Sequence, residues 1–153
     1  MRGGLDAEHS WLSPIEQSRL ERLRQPLRRD QFLAGHWLLR LLAARRSGGR
    51  PQDWCLSTDA CGRPVLTHAD GPHLSWQASL SHSGDLLAAA LDGQPVGIDV
   101  EAWPPRRPRD TRSLIESVCD ETEQRDLAQC PTDRLDRAFL ERWTLKEIGR
   151  AHV

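Results

Sequence analysis

A chain of 153 residues, 38% hydrophobic and 28% charged, is long enough to bury a core and too apolar for disorder. Its net charge of −1 gives no overall pull toward nucleic acid or an anionic membrane, so any anion site must be a local cluster. No run approaches the roughly 18 apolar residues of a membrane span, Met1 to Ser10 contain no apolar leader core, and the four cysteines lack paired CxxC spacing. A cytoplasmic protein with reduced thiols is expected, without a zinc site or disulfides.

Ser13-Pro14-Ile15-Glu16 has the pattern of a capping box with proline at the first helical position, which predicts a first helix over about 14 to 24, closed by Gln25-Pro26. From Leu27 to Arg46 the residues Phe32, Leu33, Trp37, Leu41 and Leu42 recur at helical spacing, and Ser47-Gly48-Gly49 ends that second helix. Arg19, Arg22, Arg24, Arg28 and Arg29 on these helices read as solvated charges. Short apolar runs between Gly, Pro and Asp turns then predict strands at 54 to 57, 65 to 66, 74 to 80, 86 to 91 and 96 to 100, with Asp92-Gly93 as a tight turn pairing the last two. Trp103-Pro104-Pro105-Arg106-Arg107-Pro108 is expected to be a linker, because three prolines remove amide donors and fix φ. Helices follow at about 111 to 119, 121 to 129 and from Thr132 onward.

Several segments carry candidate chemistry. In Gly97-Ile98-Asp99-Val100-Glu101 a strand period of two puts Asp99 and Glu101 on one face, about 6.6 Å apart. Like charges so placed repel unless a cation lies between them, and one or two carboxylates with substrate phosphates are the usual Mg²⁺ arrangement. An edge strand with its acids in water is the plainer alternative. In the last helix Leu135, Phe139 and Trp143 form an apolar stripe whose next position is Glu147, a carboxylate where a core residue is expected. Lys146, the only lysine, points away from that stripe by about 100°; a solvated surface residue is the plain reading. Ser79-Leu80-Ser81-His82-Ser83-Gly84 reads as a strand end passing into a polar turn able to donate to a phosphate, and Arg63 in Gly62-Arg63-Pro64 could grip one with two N–H groups.

Taken in order, Gly62 to Pro64, Ser79 to Ser83, Gly97 to Glu101 and Trp143 to Glu147 resemble the four motifs of the two-half class of phosphopantetheinyl transferases, and Arg29 to His36 resemble that family's second helix. The resemblance implies an α/β (α+β) fold of two pseudo-twofold halves, here residues 1–98 and 99–153, with coenzyme A in the cleft between them. It implies a holo-[acyl-carrier-protein] synthase type enzyme that transfers 4'-phosphopantetheine from coenzyme A to a serine of an acyl or peptidyl carrier protein. Asp99, Glu101 and Glu147 would bind Mg²⁺, Arg63, Ser81 and His82 would contact the coenzyme's phosphates, and Glu147 would serve as base beside Lys146. A monomer without nucleic-acid or membrane partners is implied.

After Glu147 the sequence departs from the family pattern, which implies a C-terminally truncated second half. The expected consequences are an apolar stripe of Leu135, Phe139 and Trp143 left without a sheet to cover, and little or no activity in this chain. Two rival functions remain at this point. One is a coenzyme A or carrier-protein binding fragment without turnover; the other is a nucleic-acid binder using the arginine-rich helices, disfavoured by the net charge.

Overall fold

The computed structural model describes residues 9–104 and 110–150, without the side chains of residues 72–74 and 149–150. Most of the expected linker, Pro105 to Pro108, and the last three residues lie outside that range. Among the described residues the architecture is mixed α/β, as the resemblance implied: two helices, a four-stranded antiparallel sheet, then three helices.

Helix α1 (Pro14–Arg22) begins with the expected capping box, Ser13 N donating to Glu16 Oε2 at 2.8 Å. Helix α2 (Pro26–Ser47) stops at Gly48, whose φ of +85° suits glycine. A short turn leads to β1 (Trp54–Thr58), β2 (Pro64–His68), β3 (Gly71–Ser83) and β4 (Leu86–Asp92), which pair in chain order. Alternation along the strands puts Trp54, Leu66 and Ala78 on the face covered by α2, where they form a core with Leu39 and Ala43.

Two strand expectations are corrected. Ser79 to Ser83 do not lie in a turn; they continue β3, paired with β4 as far as Ser83 opposite Leu86. The tight turn is therefore Gly84-Asp85, with Gly84 at φ +60°, rather than Asp92-Gly93. The segment 96 to 100 is not a strand and does not pair with β4. Its amides bond instead to serine hydroxyls of β3: Ile98 N to Ser79, Val100 N to Ser81 and Ala102 N to Ser83, at 3.1 to 3.2 Å. Because the two numbers rise together, residues 98–102 run parallel to β3, held by side chains in place of a backbone ladder.

Helices α3 (Thr111–Val118), α4 (Glu121–Ala128) and α5 (Thr132–Arg150) match the expected ones. Asp110 and Asp120 cap the first two, and Asp120 forms a capping box with Glu123. The expected exposure of the α5 stripe is not found. Phe139 is 1% exposed in a second core with Ile115, Cys119 and Leu127, and Leu135 and Trp143 pack partly against it. Two short helices suffice to cover the stripe, since an apolar helix face can be buried by helices as well as by a sheet. No described helix is long and apolar enough to cross a membrane.

Candidate active site

The carboxylates of Asp99 and Glu101 both turn toward β3, as the period of two requires. Asp99 Oδ1 accepts from Ser81 Oγ, and Glu101 Oε2 accepts from Ser83 Oγ at 2.9 Å. The other oxygen of Asp99, Oδ2, is shielded from solvent and has no hydrogen-bond partner. A buried carboxylate oxygen is costly to leave unpaired, and a cation is one partner that would satisfy it. This donor chemistry, two hard carboxylates on one extended segment, fits Mg²⁺.

Glu147 lies half-buried on α5, four residues beyond Trp143. No group of three or more His, Cys, Asp or Glu side chains able to hold a metal forms among the described residues. Lys146 is more than a solvated charge: its Nζ lies 2.8 Å from Glu123 Oε2, joining α5 to α4. That bond raises the lysine's pKa and lowers the glutamate's.

Arg63 is anchored in the β1–β2 turn. Asp59 accepts from the backbone N–H groups of Cys61 and Arg63 through Oδ1 and from Arg63 Nε through Oδ2, each at 2.9 Å, while Gly62 takes a φ of +80°. The Arg63 backbone amide is the foremost cause of the lowered pKa of Asp59. Arg63 lines a cleft of about 190 Å³ with Ser79, Pro95 and Val96, next to the carboxylate segment. His82 faces the other way, as an even-numbered β3 residue must, and lines a separate cleft of about 200 Å³ with Phe32, Leu80 and Leu87. There Arg28 Nη1 approaches His82 Nε2 to 2.6 Å. An arginine nitrogen can only donate, so His82 accepts through Nε2 and carries its proton on Nδ1. Arg28, read from sequence as a solvated charge, thus joins His82; only the β3–α2 packing, invisible in the spacing, pairs them. Ser81 and His82 are neighbours in sequence on opposite faces of the strand, and Ser81 alone of the two meets Asp99.

Residues 95–147, which include Asp99, Glu101 and Glu147, match the family model of the 4'-phosphopantetheinyl transferase superfamily. The chain is 30% identical over 127 residues to 4'-phosphopantetheinyl transferase psf-1 of Bacillus pumilus, covering 83% of this chain and 51% of that protein. It is 27% identical over 138 residues to 4'-phosphopantetheinyl transferase Sfp of Bacillus subtilis, covering 90% and 58%. A further 4'-phosphopantetheinyl transferase of Bacillus subtilis is 25% identical over 143 residues, covering 92% and 60%. The chain belongs to the 4'-phosphopantetheinyl transferase superfamily. It spans little more than half the length of these relatives.

Proposed function

We propose that this chain carries the metal-binding and part of the coenzyme-binding machinery for moving 4'-phosphopantetheine from coenzyme A to a carrier-protein serine. The carrying observation is the solvent-shielded, unpartnered Oδ2 of Asp99 within the segment that the family model matches. Asp99, Glu101 and Glu147 would hold Mg²⁺, which supplies charge neutralisation at the coenzyme's pyrophosphate when bound. Arg63, fixed by Asp59, offers N–H donors to a phosphate beside that segment, and His82 with Arg28 offers a second basic point on the far side of β3. The Ser81 part in phosphate contact competes with its bond to Asp99.

In the reaction the carrier serine Oγ forms a bond to the β-phosphorus, and the bond from that phosphorus to the 3',5'-ADP oxygen breaks. The serine proton passes to Glu147, directly or through one water, and the ADP moiety leaves with the electron pair. Lys146 would offset charge beside the base. The residues' task is mainly to hold the two substrates in line and to counter phosphate charge.

The test is incubation of the 153-residue chain with coenzyme A, Mg²⁺ and an apo carrier protein, with phosphopantetheine attachment read by mass spectrometry, beside calorimetric titration of coenzyme A. Little or no transfer is expected from the 153 residues alone, whereas in the same chain extended by a family-like second half, transfer that depends on Mg²⁺ and vanishes in Asp99→Ala is the expected result. Coenzyme A binding without attachment by the extended chain would favour the non-catalytic reading, and undiminished transfer by Asp99→Ala would remove Asp99 from the metal site.

A further inference from the structure

Three serines alternate along one face of β3, and each meets the same step of the neighbouring segment. Ser79, Ser81 and Ser83 accept from the amides of Ile98, Val100 and Ala102, an offset of nineteen residues at every rung. The residue preceding each of these amides differs: Gly97 at the first rung, Asp99 at the second, Glu101 at the third. A serine oxygen has two lone pairs and one proton. Because a backbone N–H occupies one lone pair, the hydroxyl turns its proton outward, and on the second and third rungs that proton goes to a carboxylate.

We infer that Ser81 and Ser83 are positioning residues for the carboxylate pair, a role resting on the metal reading proposed above. Each serine ties one oxygen of its carboxylate and fixes that carboxylate's rotamer through the amide it holds at the same time. At Asp99 the consequence is visible: Oδ1 is engaged by Ser81, and Oδ2 is left shielded and unpaired. Ser81 on this reading acts through Asp99 and not on the coenzyme's phosphates. Ser79 performs the same backbone task with only Gly97 beside it, so it holds the segment without orienting an acid.

That difference between rungs supplies the test, with Mn²⁺ alone as the probe and its affinity read by electron paramagnetic resonance of the full chain. Hydrogen-bonding partners of metal ligands typically change affinity by about 10- to 100-fold when removed. Ser81→Ala and Ser83→Ala are expected to weaken Mn²⁺ binding by roughly 10-fold or more. Ser79→Ala, which loses an equivalent amide acceptor, is expected to stay within about twofold of the parent. Ser81→Thr and Ser83→Thr keep the hydroxyl on a strand-compatible side chain and should restore affinity. Urea midpoints of all variants, followed by tryptophan fluorescence, report whether segment 98–102 stays attached. Equal Mn²⁺ affinity in the parent, Ser81→Ala and Ser83→Ala would overturn the serine role while leaving the metal site standing, as would equal weakening by all three alanines. A parent chain that binds no Mn²⁺ at millimolar concentration would remove the metal reading and the serine role with it.

Discussion

Removing the charge of Glu16 is expected to destabilise the N-terminal helices by an amount that can be worked from its surroundings. Glu16 is 3% exposed, a location that by itself raises a carboxyl pKa. Its Oε1 lies 2.7 Å from His36 Nδ1, and its Oε2 lies 2.7 Å from Arg40 Nη2 and accepts from Ser13 N. These partners outweigh the burial and bring the pKa down to about 2. A fall of about 2.5 units from the ordinary value corresponds to about 3 kcal/mol of stability at neutral pH. Since the folded-state pKa lies below the unfolded one, that contribution is complete above the unfolded value. It disappears as pH falls through the window between about 4.5 and about 2. Glu16→Gln keeps the shape but removes the charge and leaves one acceptor oxygen where Arg40 Nη2, Ser13 N and His36 Nδ1 now share two. Urea unfolding followed by fluorescence, with Trp11 stacked 4.9 Å from the Arg40 guanidinium, should give a difference between parent and Glu16→Gln of about 3 kcal/mol at pH 7. At pH 3 the difference should shrink to about 1 kcal/mol. Taking the difference between the two proteins cancels the titration of other acids. A gap below 1 kcal/mol at pH 7, or one that does not narrow with acid, would refute the reasoning.

Phe139→Ala should cost about 3 to 5 kcal/mol, because the ring fills the centre of the α3–α4–α5 core; loss of helical circular dichroism while the β1–β4 region stays protected from hydrogen exchange would show that the second core stands on its own. Arg63→Ala and His82→Ala should raise the KM for coenzyme A with little change in the KM for the carrier, as measured by steady-state kinetics; the reverse pattern would assign them to carrier contact.

The helices were legible because their signals are local. Capping residues, prolines and a period near four declare a helix within a few positions, and the three C-terminal helices fall where those signals put them. What the sequence concealed depends on contacts between distant residues. Ser79 to Ser83 carry the polar composition of a turn, yet Leu80 packs in the core while the odd-numbered serines serve segment 98–102, which makes the stretch a strand. The same serines explain why 96 to 100 looked like a strand and is not one: it is extended, but its amides are satisfied by side chains. Glu16 was visible as a capping residue, whereas its bonds to His36 and Arg40 span 20 and 24 residues and leave no local trace. Asp99 and Glu101 could be placed on a common face from parity alone. That Arg63 and His82 line different clefts could not, since it depends on how β3 sits between β2 and β4.

Glu147 has been given two tasks, ligand and base, and they can be separated because they act on different quantities. A carboxylate has two oxygens, so one side chain could hold a cation and accept a proton in turn, but removing its charge affects the two tasks unequally. Loss of a ligand weakens metal binding in the resting protein, whether or not a carrier is present. Loss of a base leaves the resting protein untouched and slows only the step in which the serine proton departs, typically by about 10²- to 10⁴-fold. Asp99, proposed as a ligand from its shielded Oδ2 without a hydrogen-bond partner, supplies the standard. Glu147→Gln and Asp99→Asn are therefore to be compared in Mn²⁺ affinity and in transfer to an apo carrier. Glu147 is expected to follow Asp99 in both, with a loss of at least about 10-fold in affinity, if its carboxylate completes the metal site. Normal affinity with lost transfer would confine it to proton acceptance. Normal values of both would return Glu147 to the helix as a half-buried acid with no part in the reaction.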